Sequence, residues 1–221
     1  MKTDKIKVLN LYACLGGNRL KWDTVANIDV TAVELDPVLA ELYQERFPSD
    51  KVIIADAHQY LLGHYKEYDF IWTSPPCPSH SRAAFGSRKS DKSNHAPVYP
   101  DLKLYEEVIF LQNYFSGKFC VENVIPYYEP LIPAQKRGRH LYWTNFVLPK
   151  ILNERKSVSM ECKNEVSKWC EFHDYDFRKY TGEQRIDKIA RNLVDYEAGL
   201  TIFRTAFNII EQSKIKQATL F

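Results

Sequence analysis

Short apolar runs alternate with helical stretches through the first two thirds of this chain. The runs predicted to be strands are Ile6–Leu11, Val30–Leu35, Val52–Ala55, Phe70–Thr73 and Phe119–Val124. Between them, Asp36 is placed to cap a helix from Pro37 to about Phe47, and a second helix is expected from Asp101 to Tyr114. This alternation predicts an α/β fold: a mostly parallel sheet with helices on both faces.

Length and composition narrow the class of protein. The chain has 221 residues, of which 45% are apolar, enough for one α/β domain with a small appendage. Its net charge of +2 is compatible with a nucleic-acid partner without requiring one. Five cysteines make a disulfide scaffold improbable, and we see no signal peptide or membrane-spanning run. We therefore expect a cytoplasmic protein of a bacterium or a phage-infected cell.

A change of pattern divides the chain into three predicted regions. Residues 1–145 carry the strand–helix alternation and form the expected catalytic and cofactor-binding domain. Residues 146–182 are polar with scattered aromatic residues, and we interpret them as a small target-recognition region. Residues 183–221 return to helical spacing and are expected to pack back on the catalytic domain.

Two predicted strands end in chemically reactive residues. Cys77 follows the strand Phe70–Thr73 and is flanked by prolines, and Glu122 lies near the end of the strand Phe119–Val124. Parallel strands present such residues at one edge of the sheet, where a thiolate and an acid together support nucleophilic addition. The structural alternatives are a buried cysteine and an ordinary strand-end ion pair.

Three earlier strand ends are suited to an adenosine-containing ligand. Gly16 and Gly17 form a turn that lets a ligand approach the backbone, although a plain structural turn is an alternative. Glu34 could accept hydrogen bonds from ribose hydroxyls, and Asp56 could accept one from an adenine amino group. The glycine-rich loop typical of pyrophosphate sites is missing, so S-adenosylmethionine fits better than a dinucleotide.

In order along the chain, these motifs resemble those of the DNA (cytosine-5)-methyltransferases, and especially of small solitary methylases carried by phages and prophages. The similar segments are Tyr12–Gly17, Pro76–Cys77 with Ser81, Glu122–Val124, the Gln-x-Arg-x-Arg segment Gln135–Arg139, and Asn192–Val194. The resemblance implies a Rossmann-like methyltransferase sheet and S-adenosylmethionine as the cofactor.

The resemblance also assigns roles to individual residues. Cys77 would attack carbon 6 of a flipped cytosine, Glu122 would bind ring nitrogen 3, Arg139 would hold the 2-oxo group, and Arg137 would position the backbone or Glu122. The implied cofactor-binding residues are Tyr12, Ala13, Cys14, Leu15, Gly16, Gly17, Glu34, Leu35, Asp56, Ala57, Pro76, Asn192 and Val194.

Double-stranded DNA is the implied partner, with no membrane and no obligate protein partner inferred. The basic stretch Arg82–Pro97 would close over DNA, or would be a solvated charged segment. The recognition region is short, which keeps open methylation of cytosine in RNA or in a free nucleotide. Cys14, which replaces a family glycine, keeps open a DNA-binding relic without catalysis.

One further group of residues has the chemistry of metal ligands. Cys162, Cys170 and His173 lie close together in the sequence, near Trp169 and Phe172. Their spacing does not match that of zinc sites, so we predict no metal and interpret the group as the packing of a small aromatic unit.

Overall fold

The computed structural model describes residues 5–82, 85–86, 98–155 and 166–209. The strands are β1 (Ile6–Leu11), β2 (Ile28–Glu34), β3 (Lys51–Ile54), β4 (Phe70–Thr73), β5 (Lys118–Val124), β6 (Gln135–Arg137) and β7 (His140–Thr144). The helices are α1 (Pro37–Arg46), α2 (Ala57–His64), α3 (Lys103–Tyr114), α4 (Val166–His173), α5 (Ile186–Asn192) and α6 (Tyr196–Ala206). None of these described helices is long and apolar enough to cross a membrane.

The described strands form one seven-stranded sheet in the order β3-β2-β1-β4-β5-β7-β6. β1 to β5 are parallel to one another, whereas β7 runs antiparallel to both β5 and β6. The chain proceeds outward from β1 in one direction and from β4 in the other, so the strand order reverses between these two strands. Ligands of open α/β sheets bind beyond the carboxyl ends of the strands at such a reversal.

Apolar side chains cover both faces of the sheet, because successive residues of a strand point to opposite sides. On one face, Leu9 and Leu11 of β1 pack with α2 and α3. On the other face, Val8 packs with Trp22 and with α6, where Phe203 stacks on the Trp22 ring at 5.2 Å. The sheet is thus a rigid platform, and only its edges and strand ends remain for binding.

The structure confirms the predicted fold class and the parallel strands. It also confirms the cap of α1: the Asp36 carboxylate accepts hydrogen bonds from the backbone N–H groups of Val38 and Leu39, and Pro37 is the first helical residue. The sequence reading missed the hairpin of β6 and β7. Its strands are only three and five residues long and lie within a basic segment, where the alternation of apolar residues is weak.

The segment from α4 to α5 packs against the first half of the chain. Trp169, Phe177 and Ile189 share a buried cluster with Leu15 and with Leu39 of α1. Hydrogen bonds add to this packing, since the Arg46 guanidinium donates to the His173 carbonyl and the Tyr180 hydroxyl donates to Asp36. Much of the predicted recognition region is therefore bound to the catalytic domain. The boundaries at residues 145 and 182 stay predictions.

Candidate active site

Two adjoining cavities open at the carboxyl edge of the sheet. The larger has a volume of about 770 Å³ and lies beyond β1, β2 and β4, and the smaller has a volume of about 340 Å³ and lies beyond β4 and β5. The segments Ser74–Cys77 and Asn192–Val194 line both cavities. Cys77 therefore lies at the junction, where a group bound in one cavity can meet a group bound in the other.

The turn after β1 forms the floor of the larger cavity. Tyr12, Cys14 and Gly16 all have left-handed backbone conformations, with φ of 54°, 47° and 65°. Glycine adopts this conformation freely, whereas a cysteine there costs on the order of 1 kcal/mol. Gly16 is required for a second reason, because a Cβ atom at this position would lie 2.4 Å from the Phe47 ring.

Most of the predicted cofactor residues line the larger cavity: Tyr12, Ala13, Cys14, Gly17, Glu34, Leu35, Asp56, Ala57, Pro76, Asn192 and Val194. Leu15 and Gly16 do not line it, and their assignment to cofactor binding stays a prediction. Leu15 is fully buried beneath the turn, in the cluster that includes Leu39. Both residues shape the turn from below.

Glu34 joins the ends of β1 and β2 at the cavity wall. Its Oε2 accepts a hydrogen bond from the Cys14 backbone N–H at 2.7 Å, and its Oε1 accepts from the N–H groups of Leu35 and Asp36 at 2.8 and 2.9 Å. Burial raises the pKa of Glu34, although the three N–H donors oppose this effect. Lone pairs remain on this carboxylate for ligand hydroxyl groups.

Asp56 provides a second carboxylate at the end of β3. Its Oδ1 accepts a hydrogen bond from the Gln59 N–H at 2.9 Å and caps α2, while its other oxygen remains for a ligand. With Glu34, this gives the cavity two acceptors for the hydroxyl and amino donors of an adenosine. These two carboxylate acceptors therefore fit the predicted cofactor, S-adenosylmethionine.

Cys77 lies in the loop after β4 and is half-buried, which excludes the alternative of a sealed structural cysteine. Cys120, in contrast, is fully buried within β5. Burial and the nearby Glu122 carboxylate raise the pKa of the Cys77 thiol, whereas its own backbone N–H and Lys188 lower it. The thiol is thus mostly protonated at neutral pH, and its reactivity depends on the charges around it.

Glu122 lines the smaller cavity from the end of β5, with only 7% of its surface exposed. The next residue, Asn123, donates a hydrogen bond to the Pro75 carbonyl at 2.9 Å. This bond connects the end of β5 to the loop that carries Cys77. The structure therefore brings the predicted nucleophile and the predicted acid to the same cavity.

The two predicted arginines differ in position. Arg139 lines the smaller cavity. Arg137 does not line it, since its guanidinium donates to the backbone carbonyls of Lys136, Leu148 and Pro149. Of the two roles predicted for Arg137, these bonds fit positioning of the backbone. Arg137 does not contact Glu122 directly.

The predicted recognition region supplies a wall of the smaller cavity, namely Glu154, Arg155, Trp169, Phe172 and His173. The Arg155 guanidinium donates to Asp195 at 2.9 Å and lies over the rings of Tyr196 and Phe172, at 3.7 and 4.2 Å from their centroids. The contacts with Asp195 and Tyr196 hold the region against the start of α6.

His173 is buried within an aromatic cluster that includes Trp169 and Phe177. Burial lowers the pKa of His173 to about 4, so the ring is neutral at physiological pH. Cys162 lies outside the described residues. Within the described part of the chain, no group of three or more His, Cys, Asp or Glu side chains is arranged to hold a metal ion.

Most of the basic segment Arg82–Pro97 also lies outside the described residues. Of its beginning, Arg82 donates to the Pro126 carbonyl at 2.8 Å, and the Phe85 ring stacks on Tyr127 at 4.2 Å. Closure of this segment over DNA stays a prediction.

Two residues at the site were missed by the sequence reading. Lys188 of α5 lines the larger cavity and acts electrostatically on Cys77. His140 of β7 lies 3.7 Å from Glu122, measured from Nε2 to Oε1. A strand prediction for His140–Thr144 would have placed His140 near β5, but no local signal singles out Lys188.

The sheet order, the glycine turn after β1 and the carboxylates at the ends of β2 and β3 define a Rossmann-like, S-adenosylmethionine-dependent methyltransferase. Residues 6–126, more than half of the chain, match the family described as C-5 cytosine-specific DNA methylase. The chain belongs to this family. None of the curated proteins matches it significantly.

The solved structures that resemble this chain do so less closely than the family does. An Agrobacterium tumefaciens protein described as a SAM-dependent methyltransferase is 18% identical with a TM-score of 0.41, over 58% of this chain and 41% of that one. A Spodoptera frugiperda DNMT2 mutant is 24% identical with a TM-score of 0.36, over 54% and 36%. SMU.776, a putative methyltransferase complexed with SAH, is 17% identical with a TM-score of 0.38, over 53% and 31%. The chain thus spans less than half of these proteins.

Proposed function

We propose that the chain methylates carbon 5 of cytosine in double-stranded DNA. The observation that carries this proposal is the position of Cys77, which lies between the two cavities and next to Glu122. A nucleophile in this position can form a bond to a cytosine in the smaller cavity while that cytosine faces a methyl donor in the larger one. The family match of residues 6–126 supports the same assignment.

The residues of the smaller cavity are suited to activation of a cytosine. The Cys77 thiolate forms a bond to carbon 6, and the electron pair displaced from the ring double bond is stabilised as Glu122 donates a proton to ring nitrogen 3. Arg139 lines the same cavity, so its guanidinium is available to the 2-oxo group. S-adenosylmethionine, when bound, supplies the methyl group for carbon 5. A base then removes the carbon-5 proton, and the bond to Cys77 breaks.

The larger cavity has the residues to hold and orient that donor. Glu34 and Asp56 offer oxygen acceptors, and Gly17 brings the turn after β1 close to Val194, since an added Cβ atom would lie 2.4 Å from the Val194 carbonyl oxygen. Cys14 lies on the floor of this cavity, and its side chain, where the family has a glycine, is the reason for the alternative of a DNA-binding relic without catalysis. Binding of DNA without measurable binding of S-adenosylmethionine would favour that alternative.

A duplex cytosine cannot reach Cys77 while stacked, because Cys77 lines a cavity rather than a convex surface. The proposal therefore requires base flipping. Methylation of an unpaired RNA cytosine or of a free nucleotide would need no such step.

The purified chain is incubated with labelled S-adenosylmethionine and with genomic DNA, transfer RNA or dCMP. Transfer of the label is measured for each substrate, and bisulfite sequencing locates the product in DNA and RNA. We expect carbon-5 methylation of DNA alone. Methylation of transfer RNA or dCMP with none on DNA would replace the proposed substrate. The variant Cys77→Ser should be inactive, and Cys170→Ser, at a half-buried cysteine outside both cavities, provides the matched control.

A further inference from the structure

His140 reaches Glu122 because of the register of two antiparallel strands. Tyr142 of β7 lies opposite Glu122 of β5, and His140 lies opposite Val124. Residues paired in this way share a face of the sheet, so His140 lies diagonally across from Glu122, within reach of a long side chain. The resulting distance is 3.7 Å between Nε2 of His140 and Oε1 of Glu122.

The pair is largely shielded from water. The side chains of His140 and Glu122 are 23% and 9% exposed, whereas the surface pair of His64 and Glu67 is 43% and 59% exposed. Charges interact more strongly when solvent screening is reduced. The Tyr142 ring packs edge-on against the His140 ring, with 6.3 Å between their centroids, and restricts its orientation.

Other charged or titratable groups surround the same cavity. They are Cys77 after β4, Cys120 on β5, Arg139 before β7, Tyr142 on β7, Glu154 and Arg155 after β7, His173 on α4, Arg191 on α5 and Asp195 before α6. Arg155 is paired with Asp195, and Arg191 with Asp187. Among the residues that the structure describes, His140 is the cation-forming group within 4 Å of the Glu122 carboxylate.

We propose that His140 is a positioning residue for Glu122, which holds its carboxyl group and supplies the proton that Glu122 passes to the substrate. This inference rests on the proposed function. The reacting form of the pair carries one proton, on Nε2 of His140, beside the Glu122 carboxylate. As the bond from Cys77 to carbon 6 forms, this proton moves to Glu122, and Glu122 passes it to ring nitrogen 3. A neutral imidazole and a carboxylate remain, and the proton returns to the pair when Cys77 leaves. The proton transfer requires the distance of 3.7 Å to shorten in the complex with substrate.

The role predicts a particular dependence of rate on pH. The reaction needs the Cys77 thiolate, whose fraction rises with pH, and the protonated donor, whose fraction falls above the donor's pKa. The rate therefore rises with pH up to the pKa of the donor and is level above it. A histidine donor places this break at a higher pH than a lone glutamate donor does, because an imidazolium is a weaker acid than a carboxylic acid.

The test measures single-turnover methyl transfer from pH 5.5 to 8.5 for the wild type, His140→Gln and His140→Asn. We expect the wild-type rate to rise with pH and then level within this range, and the break to move to a lower pH in His140→Gln. The loss should be about 10- to 100-fold at pH 7.5 and smaller at pH 5.5. His64→Gln, which removes the surface pair with Glu67, should match the wild type.

The outcomes separate the two proposals. If the wild type methylates no cytosine, the proposed function fails and this role fails with it. If the wild type is active and His140→Gln keeps both the rate and the pH break of the wild type, the role of His140 alone is wrong. A raised KM for DNA with an unchanged maximal rate also contradicts the role, because it assigns His140 to DNA binding.

Discussion

The two cavities of this protein are built in different ways. The larger is formed mainly by the ends of adjacent parallel strands and fixed from below: the fully buried Glu107 accepts hydrogen bonds from the hydroxyls of Tyr12 and Thr73. In the smaller, strand ends contribute Cys77 and Glu122, while the β6–β7 hairpin, α4 and α5 complete the walls. The larger cavity is thus preformed by the sheet, whereas the smaller cavity depends on the packing of distant segments of the chain against it. Substitutions in the two cavities should therefore have different effects.

The largest effect is expected from Cys77→Ser, which removes the nucleophile shared by both cavities. Methyl transfer should fall by roughly 10³-fold or more, because a hydroxyl in this position is a far weaker nucleophile. Binding of S-adenosylmethionine, measured by calorimetry, should change less than about threefold if the larger cavity is preformed. A loss of cofactor binding comparable to that of activity would contradict the separation of the two cavities.

Glu122→Gln should move two measurements in opposite directions. Methyl transfer should fall by about 10²- to 10³-fold because the acid is lost. Removal of the negative charge should lower the pKa of the Cys77 thiol, which Glu122 helps to raise, so alkylation of Cys77 by iodoacetamide at pH 7.5 should become faster. Peptide mass spectrometry reports the alkylation, with Cys170 as the internal reference. Slower alkylation would contradict the electrostatic coupling.

His173→Phe tests the docking of α4 through its dependence on pH. The pKa of His173 is lowered to about 4 by burial, below the value near 6.5 in the unfolded chain. The unfolded state therefore binds the extra proton, and the stability that His173 contributes is lost as pH falls from about 6.5 to 4. This loss is on the order of 3 kcal/mol.

Urea unfolding at several pH values measures the effect. The His173→Phe variant should lose less stability than the wild type over this range, and His64→Gln, at an exposed position, should follow the wild type. An unchanged pH dependence in His173→Phe would show that the ring is not buried in its neutral form.

The smallest effect is expected from Cys14→Gly in the turn of the larger cavity. Residue 14 has a φ of 47°, a conformation that glycine adopts without strain. The free energy of unfolding should rise by at most about 1 kcal/mol, since part of the gain is offset by lost packing of the thiol. Asn153→Gly is the control, because asparagine tolerates its φ of 57°. A clear loss of stability in Cys14→Gly would contradict a strained turn.

The sequence predicted the residues that local pattern places at strand ends. Cys77 and Glu34 were identifiable because each follows an apolar run, and parallel strands carry such residues to one edge of the sheet. Asp36 was predicted as a helix cap for a similarly local reason. The burial of Leu15 beneath the turn was not predicted, because a motif gives the path of the backbone but not which side chains turn toward the core.

The rest of the site depends on contacts between distant segments. His140 meets Glu122 only through the register of a hairpin whose short strands lack a clear alternation. The motif left open whether Arg137 positions the backbone or Glu122, and its guanidinium donates to the carbonyls of residues 148 and 149, which the hairpin brings close. No spacing in the sequence shows that Lys188 acts on Cys77.

The central claim is that Cys77 bonds transiently to carbon 6 of a cytosine, and a mechanism-based trap tests it most directly. DNA containing 5-fluorocytosine, incubated with the protein and S-adenosylmethionine, should give a stable adduct, because fluorine cannot leave carbon 5 as a proton does. Mass spectrometry should place the cytosine on the peptide that contains Cys77. An adduct on another residue, or none on DNA that the protein methylates, would contradict the claim.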